Sequence, residues 1–252
     1  MSQYTQQYLN QITEIFQRIE SHEQESIQRA AAVMADSIMK DQVIHVIGTG
    51  GHSNIAAEEL IWRTGGLVPI NAMLDAGIQV ANGAKRSNYV ERTPGYAKTV
   101  LESYGVKKGE VIIIVNAYGI NAMTIDAALE AKKLGLTTIG VTSTGFANHV
   151  PAGHPSRHPS NKNLYEIVDV YVNCHLPLGD AIVQFEEFHQ KIAPSSTLVN
   201  AFTINLMVVE TVKTLLQKGF EPPVWMSANM PGGDEANRKW EEKYFGRIKH
   251  LR

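Results

Sequence analysis

The chain has 252 residues, a formal net charge of −2 and one cysteine, Cys174. Apolar residues make up 44% of the sequence, which is enough to build a full core and excludes intrinsic disorder. The charge balance argues against a nucleic-acid binder, which usually carries a basic excess, and one cysteine excludes an internal disulfide. The N-terminus is polar, and the densest apolar run, Val111–Val115, is far shorter than the ~20 residues of a membrane helix. We therefore expect a cytoplasmic protein with neither a nucleic-acid nor a membrane partner.

The first forty residues are predicted to form two amphipathic helices. Apolar residues recur at steps of three and four, and Ser21–Gln24 has the spacing of a capping box that would start the second helix. Two such helices ahead of the first strand need a surface on which to bury their apolar stripes. A partner subunit could supply it, so we expect a homodimer or homotetramer with sites near the subunit interface.

After residue 40 the pattern alternates between short apolar strands and helices. Strands are predicted at 43–47, 67–70, 111–115, 136–141 and 167–172, and helices at 53–64, 96–104, 121–134 and 195–217. Residues 72–95 are predicted to be irregular. This order predicts an α/β fold, a three-layer α/β/α sandwich around a five-stranded parallel sheet. We expect a single domain with helices at 1–40, the α/β core at 41–220 and an aromatic tail at 221–252 that packs on the domain or across a dimer.

Three loops follow predicted strands at the edge of the sheet where open parallel sheets bind ligands. The first, Gly48-Thr-Gly-Gly-His-Ser53, opens a helix, so its backbone N–H groups could face an anion, or it is only a tight turn. Its spacing is neither that of a dinucleotide fingerprint nor that of a P-loop. The second and third, Asn116–Asn121 and Thr142–Gly145, offer amides and hydroxyls, or serve as a helix cap and a polar turn. Together they predict an anionic or polyol ligand.

These loops, in this order, resemble those of the sugar isomerase (SIS) domain family. The matching segments are Val46–Ser53, Val111–Asn121, Ala127–Gly135, Thr138–Ser143 and Ala193–Thr197. The resemblance covers about residues 25–220, and Ser156–Ser160, Leu178–Asp180 and Ser227–Asn237 also resemble a bacterial SIS subfamily. SIS domains bind phosphosugars, and several interconvert aldoses and ketoses.

The resemblance implies substrate contacts from four segments. They are Gly48, Thr49, Gly50, Gly51 and Ser53 in the first loop, Asn116, Tyr118, Gly119 and Asn121 in the phosphate loop, Ser143 in the next loop, and Ser195, Ser196 and Thr197 at the start of the long helix. The family's phosphate loop reads Ser-x-Ser-Gly-x-Thr/Asn, and here Asn116 and Tyr118 replace both serines. Because Tyr118 is bulky, a phosphate would be held differently, a sulfonate would take its place, or the substrate would carry no anion.

Isomerisation through an enediol needs a base near C1 and C2 and a proton donor at the carbonyl oxygen. Glu59 is the first candidate base, since it lies about 9 Å along a helix from Ser53. The resemblance points to the same residue, because the matching glutamate is catalytic in the heptose-phosphate isomerase branch. The alternative is a surface ion pair with Arg63. That branch also binds a metal through a histidine at a position that is Ile55 here, so we expect neither a metal nor another cofactor.

Glu186 and two histidines, His52 and His189, are the remaining catalytic candidates. Glu186 and His189 would share one face of a helix, as an acid–base pair or metal ligands, or would lie in a solvated turn. His52, beside the first loop, could donate a hydrogen bond to a substrate oxygen or have a structural role. Three more histidines lie in a proline-rich loop at 149–158, where separate orientations are favoured over a metal triad.

The sequence thus predicts an aldose–ketose isomerase of an anionic sugar, with a sugar phosphate as its small-molecule partner. A sulfonated sugar such as a 6-deoxy-6-sulfohexose is one alternative substrate. A non-catalytic phosphosugar-binding protein is a second possibility, although such domains are usually fused to a DNA-binding domain. Cleavage of a muramic-type ether or deamination of an amino-sugar phosphate also stays open.

Overall fold

A computed structural model describes residues 2–251, and its centre is a five-stranded parallel sheet. The strands are β1 (Ile44–Gly48), β2 (Ile70–Ala72), β3 (Val111–Val115), β4 (Thr137–Thr142) and β5 (Val170–Asn173). Their order is β2-β1-β3-β4-β5, and all neighbours are parallel. The chain leaves β1 toward one edge and returns to the other side of β1 as β3. The carboxyl ends of β1 and β3 therefore flank the switch point at which such sheets bind ligands.

Helices cover both faces of this sheet. They are α1 (Gln3–His22), α2 (Gln24–Met39), α3 (Asn54–Leu60), α4 (Ala84–Glu91), α5 (Tyr96–Ser103), α6 (Ala122–Lys133), α7 (Thr144–His149), α8 (Ser196–Gln217) and α9 (Gly233–Tyr244). Alternate residues of β3 separate the two cores: Val111, Ile113 and Val115 face α2, α3 and α8, whereas Ile112 and Ile114 face α5 and α6. The predicted three-layer α/β/α sandwich is confirmed.

The helix α8 is the one helix within residues 2–251 whose length and composition would allow it to cross a membrane. One of its faces is buried: Val199, Ile204 and Met207 join the core that lies against the sheet. That apolar face is therefore used in packing within the chain.

The N-terminal helices bury their apolar stripes within the same chain. Ile27, Met34 and Ile38 of α2 join the core beside α8. The helix α1 packs on α8 and on a hairpin, where Tyr4 stacks on Phe185 with ring centroids 3.8 Å apart. The predicted capping box does not start α2, because α1 continues through residue 21 to His22.

The hairpin corrects one prediction about the site. Its strands are β6 (Ala181–Phe185) and β7 (Phe188–Pro194), which pair antiparallel. Glu186 and His189 therefore do not lie on a helix, and the prediction that they share a helical face is wrong. The spacing of three residues carries that meaning only in a helix, whereas in a strand neighbouring side chains alternate between faces.

Two boundaries near β2 also differ from the predicted ones. The second strand begins at Ile70, because Leu67 instead forms an antiparallel bridge with Val224 of the tail and Pro69 has no N–H to donate. Residues 84–91, predicted to be irregular, form α4. This helix is polar and only weakly amphipathic, so hydrophobic periodicity does not reveal it.

The aromatic tail packs on the domain. Trp225 and Tyr244 form a cluster with Val43 and Val68. The side chain of Asn237 on α9 holds the preceding loop of the tail, since it donates to the Met226 carbonyl at 2.8 Å and accepts from the Met226 N–H at 2.9 Å.

Candidate functional site

A cavity of about 360 Å³ opens at the switch point, beyond the carboxyl ends of β1 and β3. Segments that are distant in sequence line it. They are the loop 50–53, the α4 residues Ala84, Ser87, Asn88 and Glu91 with Val80, the loop 116–118, Asp180, and Pro194, Ser196 and Thr197 at the start of α8.

The glycines of the first loop are required by close packing. A Cβ on Gly48 would lie 2.1 Å from the Ser53 carbonyl oxygen, and one on Gly51 would lie 2.5 Å from a methyl group of Val80. A Cβ on Gly50 would lie 3.1 Å from Asn116 Nδ2. Glycine is therefore required at position 48, where the loop turns back on its own helix, and a Cβ at position 50 or 51 would displace neighbouring side chains.

Glu91, at the end of α4, brings a carboxylate into this loop. Its Oε1 accepts a 2.6 Å hydrogen bond from the Gly51 N–H, and its Oε2 lies 3.5 Å from Asn121 Nδ2. Burial raises the pKa of Glu91 above its ordinary value, although the Gly51 N–H works in the opposite direction. Glu91 was not among the residues predicted from the sequence, because a glutamate at the end of a polar helix carries no signal of its own.

The second loop satisfies its own backbone donors. Asn116 Oδ1 accepts from the N–H groups of Tyr118 at 3.0 Å and Gly119 at 2.9 Å. Its Nδ2 makes no hydrogen bond within residues 2–251 and so remains available to a ligand. Asn121 caps α6 by accepting from the Thr124 N–H at 2.9 Å, as one of the two sequence-based alternatives proposed.

The side chain of Asp180 caps the N-terminus of α8. Its Oδ1 accepts from the N–H groups of Ser195 at 2.9 Å and Ser196 at 2.7 Å, and its Oδ2 accepts from the Ser196 hydroxyl at 2.8 Å. The carboxylate thus fills the place that an anion would take at a helix N-terminus. Burial, and then the neighbouring Asp180 charge, raise the pKa of Tyr118 to about 12, so its phenol stays neutral.

Many of the site residues predicted from the sequence line this cavity. Its lining includes Gly50, Gly51, His52, Ser53, Asn116, Tyr118, Ser196 and Thr197. Other selected residues lie elsewhere: Gly48, Thr49, Gly119 and Ser195 are buried outside the lining, Asn121 lines a neighbouring cavity, and Ser143 donates its hydroxyl to the Leu176 carbonyl at 3.0 Å.

Three catalytic candidates are not brought to the cavity. Glu59 lies on α3 outside the lining of the cavity, where its Oε1 accepts from Arg63 Nε at 3.2 Å and from Asn205 Nδ2 of α8 at 3.4 Å. This is the ion pair that the sequence analysis gave as the alternative to catalysis. Glu186 and His189 are exposed on the hairpin and do not line the cavity.

The residues of the site do not fit the metal that the heptose-phosphate isomerase branch uses. Position 55 is an exposed isoleucine, and within residues 2–251 no three His, Cys, Asp or Glu side chains converge as metal ligands would. His158 is bonded elsewhere, since its Nε2 lies 3.2 Å from Asp126 Oδ1.

Comparison with known proteins identifies the family. The SIS domain matches residues 7–143, which is more than half of the chain. The chain belongs to the SIS domain family. Within the family it is 37% identical over 247 residues to a UPF0309 protein of Caldanaerobacter subterraneus subsp. tengcongensis, covering 97% of this chain and 98% of that protein. A UPF0309 protein of Halalkalibacterium halodurans is 36% identical over 241 residues, covering 96% and 94%.

Solved SIS-fold structures share the architecture. A phosphoheptose isomerase from Francisella tularensis superimposes with a TM-score of 0.51 at 15% identity, covering 81% of this chain and 94% of that one. Phosphoheptose isomerase GmhA from Neisseria gonorrhoeae gives 0.50 at 16% identity, covering 81% and 92%. At such identity the likeness shows the fold alone, so the reaction has to be argued from the site.

Proposed function

We propose that this SIS-domain protein is an aldose–ketose isomerase of an anionic sugar and that Glu91 is its catalytic base. The observation that carries the proposal is the position of this carboxylate, which is half-buried and faces the switch-point cavity between the first loop and α4. Membership of the SIS domain family supports sugar chemistry at this place.

The environment of Glu91 suits proton transfer. Burial raises the pKa of Glu91, which makes its carboxylate a stronger base than an exposed one. Its bond to the Gly51 N–H fixes Oε1, while Oε2 makes a long contact with Asn121 Nδ2 at 3.5 Å. Oε2 is therefore the oxygen that can reach a substrate proton.

The remaining groups suit the carbonyl end of a sugar. In the proposed reaction Glu91 removes the C2 proton of the aldose, and His52 donates a proton to the carbonyl oxygen as the enediol forms. Glu91 then returns its proton to C1, while the C2 hydroxyl gives its proton back to His52. The free Nδ2 of Asn116 and the hydroxyls of Ser53 and Thr197 line the same cavity and can hold the developing oxyanion and its neighbouring hydroxyls.

Proton exchange in D₂O tests the proposal. Hexose and pentose phosphates and sulfosugars are incubated with the full chain, and deuterium at C2 is followed by NMR. Glu91→Gln should lower kcat by about 10²–10⁴-fold, the usual contribution of a general base. The matched variant Glu59→Gln, which removes a carboxylate outside the cavity, should leave kcat within about twofold.

Two results would contradict the proposal. If Glu59→Gln abolished exchange and Glu91→Gln did not, the base would be wrongly assigned. Binding of these sugars without exchange would exclude the isomerase and favour a sugar-binding protein, whereas release of lactate or ammonia would favour ether cleavage or deamination.

A further inference from the structure

A second cavity of about 510 Å³ adjoins the first. The two share Asn88, Glu91 and Tyr118 in their linings. Tyr118 stacks on Phe146 of the second cavity, with ring centroids 4.4 Å apart and planes inclined by 21°. An elongated ligand that reached past Tyr118 would therefore contact both cavities.

The two cavities differ in charge. The first contains two carboxylates, Glu91 and Asp180, and His52 is its one basic side chain. The second is lined by Arg92, His149 and His154, with Glu91 as its one acidic residue. An anionic group is therefore repelled in the first cavity and attracted in the second.

The hydrogen-bond donors reinforce this difference. In the first cavity three of the loop and helix N–H groups that could bind an anion already have acceptors: Gly51 donates to Glu91, Tyr118 to Asn116, and Ser196 to Asp180. In the second, the Arg92 guanidinium makes no hydrogen bond within residues 2–251.

His154 also has a free donor. The Ser156 N–H donates to His154 Nδ1 at 3.2 Å, which makes Nδ1 an acceptor and places the proton of the neutral ring on Nε2. The same His-Pro-Ser turn recurs at residues 158–160, where the Ser160 N–H donates to His158 Nδ1 at 3.0 Å. There Nε2 meets Asp126, whereas Nε2 of His154 has no partner within residues 2–251.

The loop that carries His154 is held in place before any ligand arrives. Arg157 donates from Nη1 to the carbonyl oxygens of Ala147 at 2.9 Å and Val150 at 3.0 Å, and from Nη2 to that of Asn161 at 3.0 Å. A preformed loop loses little conformational entropy on binding.

We propose that the second cavity binds the tetrahedral oxyanion, a phosphate monoester or a sulfonate, of the sugar whose carbonyl end lies in the first cavity. Arg92 and His154 supply the charge and the directed N–H bond, and Tyr118 separates the anion from the reacting carbons. This inference rests on the proposed isomerase function and specifies how its substrate is bound.

Titration of the full chain with methyl phosphate and, separately, methanesulfonate measures the affinity of the cavity by calorimetry. Arg92→Gln should weaken the preferred anion at least tenfold and His154→Gln severalfold. The matched controls Arg29→Gln, on the exposed face of α2, and His189→Gln, on the hairpin, should change it less than twofold. The anion that binds more tightly identifies the source as phosphate or sulfonate.

The outcomes separate this inference from the isomerase proposal. Affinity within twofold of wild type in both Arg92→Gln and His154→Gln would overturn the anion site whatever the reaction is. If the anion site is right and the chain is an isomerase, Arg92→Gln should raise KM for the anionic sugar at least tenfold and change kcat little. Loss of anion affinity without any C2 exchange would keep the anion site and reject the isomerase.

Discussion

Replacing Asp180 by glycine should weaken the start of α8 and open it to an anion. In the wild type this carboxylate accepts two backbone N–H groups and two hydroxyls from Ser195 and Ser196 at the start of the helix. Asp180 has a φ of +66°, a conformation that glycine adopts without strain. The substitution therefore removes the carboxylate while leaving the backbone free to keep its path.

The magnitude follows from these contacts. Loss of a helix N-cap costs about 0.5–2 kcal/mol, and hydrogen bonds to a charged group are worth about 1.5–3 kcal/mol. The Ser195 N–H would keep its 3.2 Å bond to the backbone carbonyl of residue 180, but the Ser196 N–H would lose its acceptor, so we expect a loss of about 2–3 kcal/mol in the free energy of unfolding. For a chain of this size that corresponds to a fall of roughly 5–10 °C in Tm.

The assay is thermal unfolding with and without inorganic phosphate, in an Arg92→Gln background so that the second cavity does not contribute. Phosphate should raise the Tm of Asp180→Gly and leave that of the Asp180 parent unchanged. At ten times its Kd a ligand returns about 1.4 kcal/mol. Asp180→Asn, which keeps an acceptor and tolerates the same backbone, should lose less stability and show no phosphate effect.

The control is Asp36→Asn, which breaks a surface ion pair with Lys218 and should change stability by less than about 1 kcal/mol. If Asp180→Gly lost no more than this control, Asp180 would not be a significant cap. An equal rise of Tm with phosphate in the Asp180 parent would show that the first cavity already accepts an anion, against the charge argument.

Three further substitutions test other contacts. Burial raises the pKa of Glu91, so the stability that protonated Glu91 contributes is present below its ordinary pKa of 4.5 and is lost as pH rises through the folded-state pKa. The Tm of Glu91→Gln, relative to that of the wild type, should therefore rise between about pH 4 and pH 7. A difference in Tm that did not change with pH would refute this. Burial opposes ionisation of Glu110, but the His45 hydrogen bond at 2.8 Å helps to lower its pKa. The stability that ionised Glu110 contributes is therefore present above pH 4.5 and is lost as pH falls through the lowered pKa. In urea titrations Glu110→Gln should lower the free energy of unfolding by about 1–3 kcal/mol at pH 7 and by little near pH 3. Gly119→Ala places a Cβ 2.1 Å from a threonine hydroxyl at a φ of +64° and should cost at least about 2 kcal/mol in urea unfolding, whereas Gly145→Ala, with open space around it, should be nearly neutral.

The proposed roles of the two cavities also account for the altered phosphate loop. Asn116 uses its carbonyl oxygen to satisfy the loop's own N–H groups, so the loop is complete without an anion. Tyr118 stays neutral and stacks on Phe146 at the boundary between the cavities. Replacing two small hydroxyl residues by these side chains therefore suits an anion site on the far side of Tyr118.

The sequence alone determined the layered α/β fold and the edge of the sheet at which we propose that a ligand binds. Both depend on local signals: apolar runs such as Val111–Val115 form buried strands, and glycine-rich turns such as 48–51 mark where strands end. Since the carboxyl ends of parallel strands meet at one edge, the first two loops could be placed together before any coordinates were known.

Only the tertiary structure decided which side chains enter the cavity. Glu91 reaches Gly51 because α4 packs against the first loop, forty residues away, and Asp180 reaches α8 because a hairpin returns the chain by way of β7. Glu59 has a favourable spacing, but the rotation of α3 turns it toward Arg63 and Asn205. Periodicity gives the face of one element, whereas the meeting of charges from separate elements depends on how those elements pack.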